Sequence, residues 1–193
     1  MDAGGFGIMD IEADVFAEQW SFLDMDQLKK LKRVHLWELK TNNPWVKMLN
    51  RGEKLAQFIP SEVLKRKDIE ERVNVICHFI KIAMIFLEND NYNGVMWVWE
   101  GLQKAAVQKL QKTLESLPDQ VKEVMSHFRN KLSDDRLRNA MNNGLLEHRP
   151  VIPWIKLIDS AVFQIDSQQN DFVLLPTEAE EGSVPLLNIE KMW

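Results

Sequence analysis

From residue 69 onward, apolar side chains fall at Val73, Ile76, Ile80, Ala83, Met84 and Leu87, in steps of three and four. That spacing places them on one face of a helix over residues 69–87. Asp68, Glu70 and Glu71 put acids where a helix N-terminus favours them. Asn89, Asp90 and Asn91 mark its end, and Asn93-Gly94 reads as the following turn. A second helix is predicted over 95–116, stopping before Leu117-Pro118. A third, over 119–132, stacks Val121, Val124, Met125 and Phe128 on one side. A fourth is expected over 134–141, ended by Asn142-Asn143-Gly144. Pro150 and Pro153 hold the next stretch extended, and residues 154–165 read as helix again. At the front, 13–23 and 27–39 read as two short helices joined by Asp24-Met25-Asp26. No segment alternates with a period of two, so the fold class is all-α, without internal repeats. The segment from Val173, rich in Glu, Pro and Gly, reads as a polar loop or disordered tail.

A chain of 193 residues suits one domain with a sizeable core. Its 45% hydrophobic and 27% charged residues are ordinary for a globular protein. The net charge of −5 argues against nucleic-acid or anionic-membrane binding. Charge is uneven: seven acids precede the first base, Lys29, and a basic cluster follows at Lys29, Lys30, Lys32 and Arg33. Solvated helix faces account for that pattern, with a docking surface as the alternative. The single Cys77 cannot form an internal disulfide, and the apolar run 82–87 is too short for a bilayer. The acidic N-terminus lacks the basic segment of a signal peptide, so a cytoplasmic location is expected.

No enzyme site assembles from spacing. His35, His78, His127 and His148 are scattered without a Cys or carboxylate partner at zinc spacing, so neither metal nor cofactor is expected. Gly4-Gly5-Phe6-Gly7 lacks the Lys-Ser/Thr of a phosphate loop and reads as a flexible end. Cys77 reads as a small core residue beside its helix's apolar face. Trp97 and Trp99 lie two apart on a helix and cannot share a core face, which leaves one for an interface or partial burial.

Several words in the chain resemble the catalytic domain of Ras-type guanine-nucleotide exchange factors. Asn91-Tyr92-Asn93 is similar to that family's Asn-Phe/Tyr-Asn turn, Gly101-Leu102-Gln103 stands at its Leu-Asn-Ser-Ser-like step, and Lys109-Leu110-Gln111-Lys112-Thr113 resembles Arg-Leu-x-x-Thr. Phe16-Ala17-Glu18-Gln19 and Leu31 to Leu36 resemble its opening helices, Trp45-Val46-Lys47 its Trp-x-Lys, and Ile152-Pro153-Trp154-Ile155 its Ile-Pro-Phe-Leu. Residues 166–172 and Leu186 to Lys191 are similar to its Glu-Glu-Gly-Asn-Pro-Asp-Phe and Leu-Ile-Asn-Phe-Glu-Lys. The likeness covers roughly residues 10–191.

The resemblance implies an irregular helical bundle with an incomplete helical hairpin: a flexible N-terminus at 1–9, a helical domain at 10–172, and a polar tail with the start of the hairpin's return arm at 173–193. It implies a Ras-family small GTPase as partner, held in its nucleotide-free form, and no covalent catalysis or membrane insertion. Other modules of a larger signalling protein are further expected partners. Residues carried over to the GTPase-binding face are Trp45, Gln103, Lys104, Lys109, Ser160, Phe163, Ser167 and Gln169. Phe163 stands where a side chain crowds the magnesium site, and Ser167 where a glutamate is usual. Departures include Lys156 in place of a glycine, the loss of an Asn-x-x-x-x-Trp-Val segment near 58–61, and an end at Trp193 where a second hairpin arm is expected to rise. These departures favour an inactive scaffold as the alternative function, and a fragment that does not fold alone as a third reading.

Overall fold

The computed structural model describes residues 7–32, 43–132, 139–141, 143–144, 147, 150–158, 172–176 and 183–187. A single 3-10 turn, Ile8–Asp10, leads into α1 (Ala13–Lys30), α2 (Pro44–Leu64), α3 (Ile69–Glu88), α4 (Tyr92–Leu102), α5 (Ala105–Gln108), α6 (Gln111–Glu115) and α7 (Asp119–Lys131). The class is all-α, as the periodicity predicts. Helix α3 is the axle. Val75, Ile76, Phe79, Ile80, Ile82, Ala83 and Phe86 are all buried, more than one stripe can supply. A helix apolar over most of its circumference must be surrounded, and α1, α2, α4, α6 and α7 all pack against α3.

Helices α2 and α4 make the closest approach, and two glycines permit it. A Cβ on Gly52 would lie 1.9 Å from Trp97 Cε2, and one on Gly101 would lie 2.7 Å from Ile59 Cδ1. Both exceed what packing tolerates, so the missing side chains are what let the backbones meet. Pro60 lies inside α2, where it removes a backbone donor, yet the helix runs on to Leu64. Burial of Met48, Leu55, Ala56, Ile59 and Val63 outweighs that local cost.

Three expectations are corrected. The front pair of helices is one continuous helix, α1, through Lys30, because Asp24 is buried mid-helix and held by other elements instead of breaking the chain; the expected 33–39 part lies outside the described residues. The single helix expected over 95–116 is three, α4, α5 and α6. An unbroken helix of that length would extend about 33 Å and carry Val107, Thr113 and Leu117 past α3. The bends at Lys104 and Leu110 fold these residues back, leaving Val107 and Thr113 1% exposed and Leu117 4% exposed. The third correction concerns the end of the chain. Phe172–Pro176 (β1) and Ser183–Leu187 (β2) form an antiparallel ribbon, in the register Phe172↔Leu187 through Pro176↔Ser183. Phe-Val-Leu-Leu and Val-Pro-Leu-Leu are short apolar runs flanking an acidic, glycine-containing stretch, a hairpin signal masked by the overall polarity of the segment. The ribbon belongs to a compact unit, Lys156–Trp193, separate from Met1–Ile155. The fourth helix lies mostly outside the described residues, as does the 154–165 helix beyond 158.

His78 on α3 is half-buried, and burial together with Lys81 holds its imidazole below the ordinary value of 6.5. The unfolded chain would take up a proton near 6.5 while the folded one resists it. Stability from the neutral ring is therefore present above that pH and lost as pH falls through the lower folded pKa. Wild type is expected to lose urea resistance between about pH 7.5 and 5.5, with a shallower slope in His78→Leu; equal slopes would count against this role.

Candidate functional site

The site is built on the turn that ends α3. Asp90 adopts φ 51°, the left-handed conformation that terminates many helices. Asn91 N–H then donates to Phe86 C=O at 2.8 Å and Asp90 N–H to Leu87 C=O at 3.1 Å, closing the α3 C-terminus. Asn91 is also the N-cap of α4, its Oδ1 accepting from Gly94 N–H at 2.8 Å, while its Nδ2 donates to Ser21 Oγ on α1. The turn is locked from outside by a parallel bridge. Ile152 N–H donates to Asp90 C=O at 3.0 Å, and Ile152 C=O accepts from Tyr92 N–H at 3.0 Å. Gly94 completes the fit, since a Cβ there would sit 2.6 Å from the Phe86 ring.

Below the turn lies a buried polar chain. Trp97 Nε1 donates to Asn93 Oδ1 at 3.0 Å, Asn93 Nδ2 donates to Asp24 Oδ2 at 2.8 Å, and the Arg51 guanidinium pairs with Asp24 Oδ1. Asp24 is fully buried and Asn93 is 1% exposed. Burial pushes the Asp24 carboxyl above its ordinary range; Asn93 and Arg51, with a smaller share from Trp20, pull it back. Arg51 also lies over the Trp20 ring, 5.5 Å from its centroid. The chain of contacts therefore ties α1, α2 and α4 together at one point.

Helix α4 carries this rigidity to the surface. Trp97 is fully buried, edge-on to Trp154 at 4.8 Å, and Trp99 packs edge-on against Phe128 of α7 at 6.0 Å. Both tryptophans thus find partners inside the fold. The segment after α4 is anchored from beneath by Val107, Thr113 and Leu117 and pinned by Gln108 Nε2, which donates to Leu102 C=O at 2.9 Å. Above these anchors Lys104 and Lys109 are exposed, and Gln103 at the end of α4 is half-buried. Lys109 opens onto a depression of about 320 Å³ lined also by Ile69, Arg72 and Lys112. Arg72 is held in place by the carbonyls of Lys67, at 2.8 Å, and Asp68, at 3.3 Å. Among the described residues, three cations and no carboxylate line the depression, which suits an acidic protein surface.

Of the residues expected on the contact face, Lys104 and Lys109 are exposed, whereas Gln103 is half-buried with its side-chain nitrogen shielded from solvent. Trp45 is 2% exposed, in the first turn of α2, where Asn43 Oδ1 caps its backbone N–H at 2.8 Å. A core tryptophan cannot present its face to a partner, and Trp45 leaves the contact set. Ser160, Phe163, Ser167 and Gln169 lie outside the described residues. Asp24 and Arg51, which with Asn93 tie α1, α2 and α4 together, are not singled out by the sequence, where Asp24 reads only as part of a joint between two helices. Cys77 is half-buried and its thiol is pushed up by burial, the state of a packing residue rather than a nucleophile. Among the described residues no cluster of His, Cys, Asp or Glu could hold a metal, and no helix is long and apolar enough to cross a membrane.

Comparison with known proteins addresses the family. The family model described as RasGEF domain matches residues 15–193. The chain is 24% identical to Ras guanine nucleotide exchange factor A of Dictyostelium discoideum, over 98% of this chain and 32% of that protein. It is 27% identical to Ras guanine nucleotide exchange factor Q of the same organism, over 95% of this chain and 14% of that protein. With Protein son of sevenless of Drosophila melanogaster it shares 24% identity over 72% of this chain and 9% of that protein. The chain thus spans less than a third of the length of these relatives. With the match running from α1 to the last residue, the chain belongs to the RasGEF domain family.

Proposed function

We propose that this domain binds a Ras-family small GTPase in a cytoplasmic setting and promotes release of its bound GDP. The observation that carries the reading is the α4–α6 platform, where exposed Lys104 and Lys109 stand on fully buried supports within a RasGEF fold. The mechanism is linkage and involves no covalent step. A surface that binds the nucleotide-free GTPase more tightly than the loaded one lowers nucleotide affinity by the same factor. The platform contributes by anchoring the backbone that carries these cations, so that little loop order is lost on docking. Ser160, Phe163, Ser167 and Gln169 are proposed to complete the contact.

The alternative is an inactive scaffold that keeps the platform and binds without exchange. The neutral Ser167 where the family usually has a glutamate favours it. Release of a fluorescent guanine nucleotide from a panel of Ras-family GTPases separates the two: acceleration supports exchange, whereas binding with unchanged release supports the scaffold. Lys109→Glu is expected to abolish acceleration, by ~10-fold or more, with helix content unchanged. An accelerated rate in that variant equal to wild type would remove Lys109 from the contact surface.

A further inference from the structure

We infer that the groove between α1 and α2 is a docking site for a short acidic amphipathic helix of a partner protein. The groove, about 630 Å³, runs beside the α2 stretch from Lys47 to Phe58, which extends about 16 Å, or roughly three helical turns. Its apolar lining is largely aromatic. Phe16 and Trp20 lie one turn apart on α1 with their rings stacked at 5.7 Å, Leu55 adds a buried side chain, and Phe58 is 37% exposed. A trough of this length and chemistry suits the apolar face of a helix, with anchors three or four residues apart.

The charge around the groove fixes the occupant's own. Lys47 and Lys54 are exposed, and among the described residues neither makes an ion pair and no carboxylate lines the groove. The neighbouring cations are committed elsewhere. Arg51 pairs with Asp24, and Lys65, whose Nζ lies 5.9 Å from the centre of the Phe58 ring, pairs with Glu62. Uncompensated positive charge therefore stands at two lysines about 10 Å apart along α2, while the Phe58 end offers an apolar ring. An occupant complements both when carboxylates cluster at one end of its apolar stripe and the other end runs bare. The chain's net charge of −5 opposes an extended anionic surface such as a bilayer, whereas a single helix meets only the two lysines. Lys104 and Lys109 do not line this groove, so the inference does not depend on exchange activity.

Fluorescence anisotropy of labelled synthetic peptides titrated with the full chain tests it. The probe is a helical peptide of about 14 residues with leucines at i, i+4 and i+7 and glutamates clustered at one end. One control replaces the glutamates with lysines; the other scrambles the leucines around the helix. The expected Kd for the glutamate peptide is on the order of 30 µM, weakening as salt rises, with both controls at least ~10-fold weaker. Lys47→Glu combined with Lys54→Glu is expected to weaken the glutamate peptide by ~10-fold or more and to bind the lysine peptide more tightly than wild type does. The helix signal should not change, because both side chains are exposed. Absence of binding near ~1 mM peptide, equal binding of probe and controls, or a charge-reversed variant that behaves as wild type would each overturn the proposal. Binding of phosphatidylserine vesicles in place of the peptide would overturn a helix as the occupant. Self-association of the chain that excludes the peptide would overturn a separate partner in favour of a second copy.

Discussion

Replacing Gly52 with alanine is expected to destabilise the domain by about 4 kcal/mol or more, a large part of the 5–15 kcal/mol typical of a domain. The new methyl would fall 1.9 Å from Trp97 Cε2 and 2.0 Å from its Nε1. Neither side can yield. Trp97 is fully buried, wedged edge-on against Trp154 at 4.8 Å and bonded to Asn93 at 3.0 Å. Gly52 itself lies mid-helix in α2, so relief requires the two helices to part and open the contacts of Met48, Leu55 and Ile59. At the usual entropy of unfolding for this size, the melting temperature should drop by roughly 10 °C or more. A circular-dichroism melt checks it, and a loss under about 1 kcal/mol would contradict the close approach of α2 and α4. Trp97→Leu introduced with Gly52→Ala should recover part of the loss, because the clash and the space it needs are coupled.

The second large effect concerns the buried acid. Arg51→Met leaves Asp24 without its cation in a site with no exposed surface. Breaking such a pair costs about 3–5 kcal/mol when both partners are buried. Arg51 keeps 22% of its side chain in solvent, so about 2–4 kcal/mol is expected. The carboxyl already titrates above its ordinary range because of burial, and losing Arg51 should raise it further. The sign follows: a carboxyl whose folded pKa is raised contributes stability below its unfolded pKa and loses it as pH rises through the folded value. Arg51→Met should therefore be more deficient at neutral than at acidic pH. Asp24→Asn combined with Arg51→Met removes the uncompensated charge and should recover more than half of the loss. Urea denaturation of the four proteins at two pH values measures both the coupling and its slope; additive, pH-independent losses would show that the pair is not a unit.

These two predictions also show where sequence reading stops. Helix α3 was legible almost to the residue, because its acids, apolar period and Asn-rich end are all local signals. Helix α7 was legible for the same reason. Helix α2 was not assigned from the sequence, since Gly52 and Pro60 are locally poor helix formers and only the neighbouring α4 explains their presence. The continuity of α1 through Asp24 depends on Arg51 and Asn93, partners 27 and 69 residues away. Breaks at Lys104 and Leu110 likewise follow from the length of α3 and the need to bury Val107 and Thr113, facts of packing rather than propensity. For the site, the family words singled out Lys104 and Lys109, which are exposed, and Gln103, which is half-buried. The same words misplaced Trp45, because a motif records residue identity and not which way a first helical turn faces. Asn91 and Asn93 were quoted as a motif without a reason; the reason is structural, a turn that caps two helices and fastens a buried carboxylate.

The central claim is a difference in affinity between two states of a GTPase, and it can be measured without following exchange. Immobilised domain should capture a nucleotide-free Ras-family GTPase at least ~100-fold more tightly than the same GTPase loaded with GDP, and Lys109→Glu should remove most of that preference. Equal affinity for the free and loaded forms would contradict the account, since a partner indifferent to the nucleotide state cannot displace the nucleotide however tightly it binds.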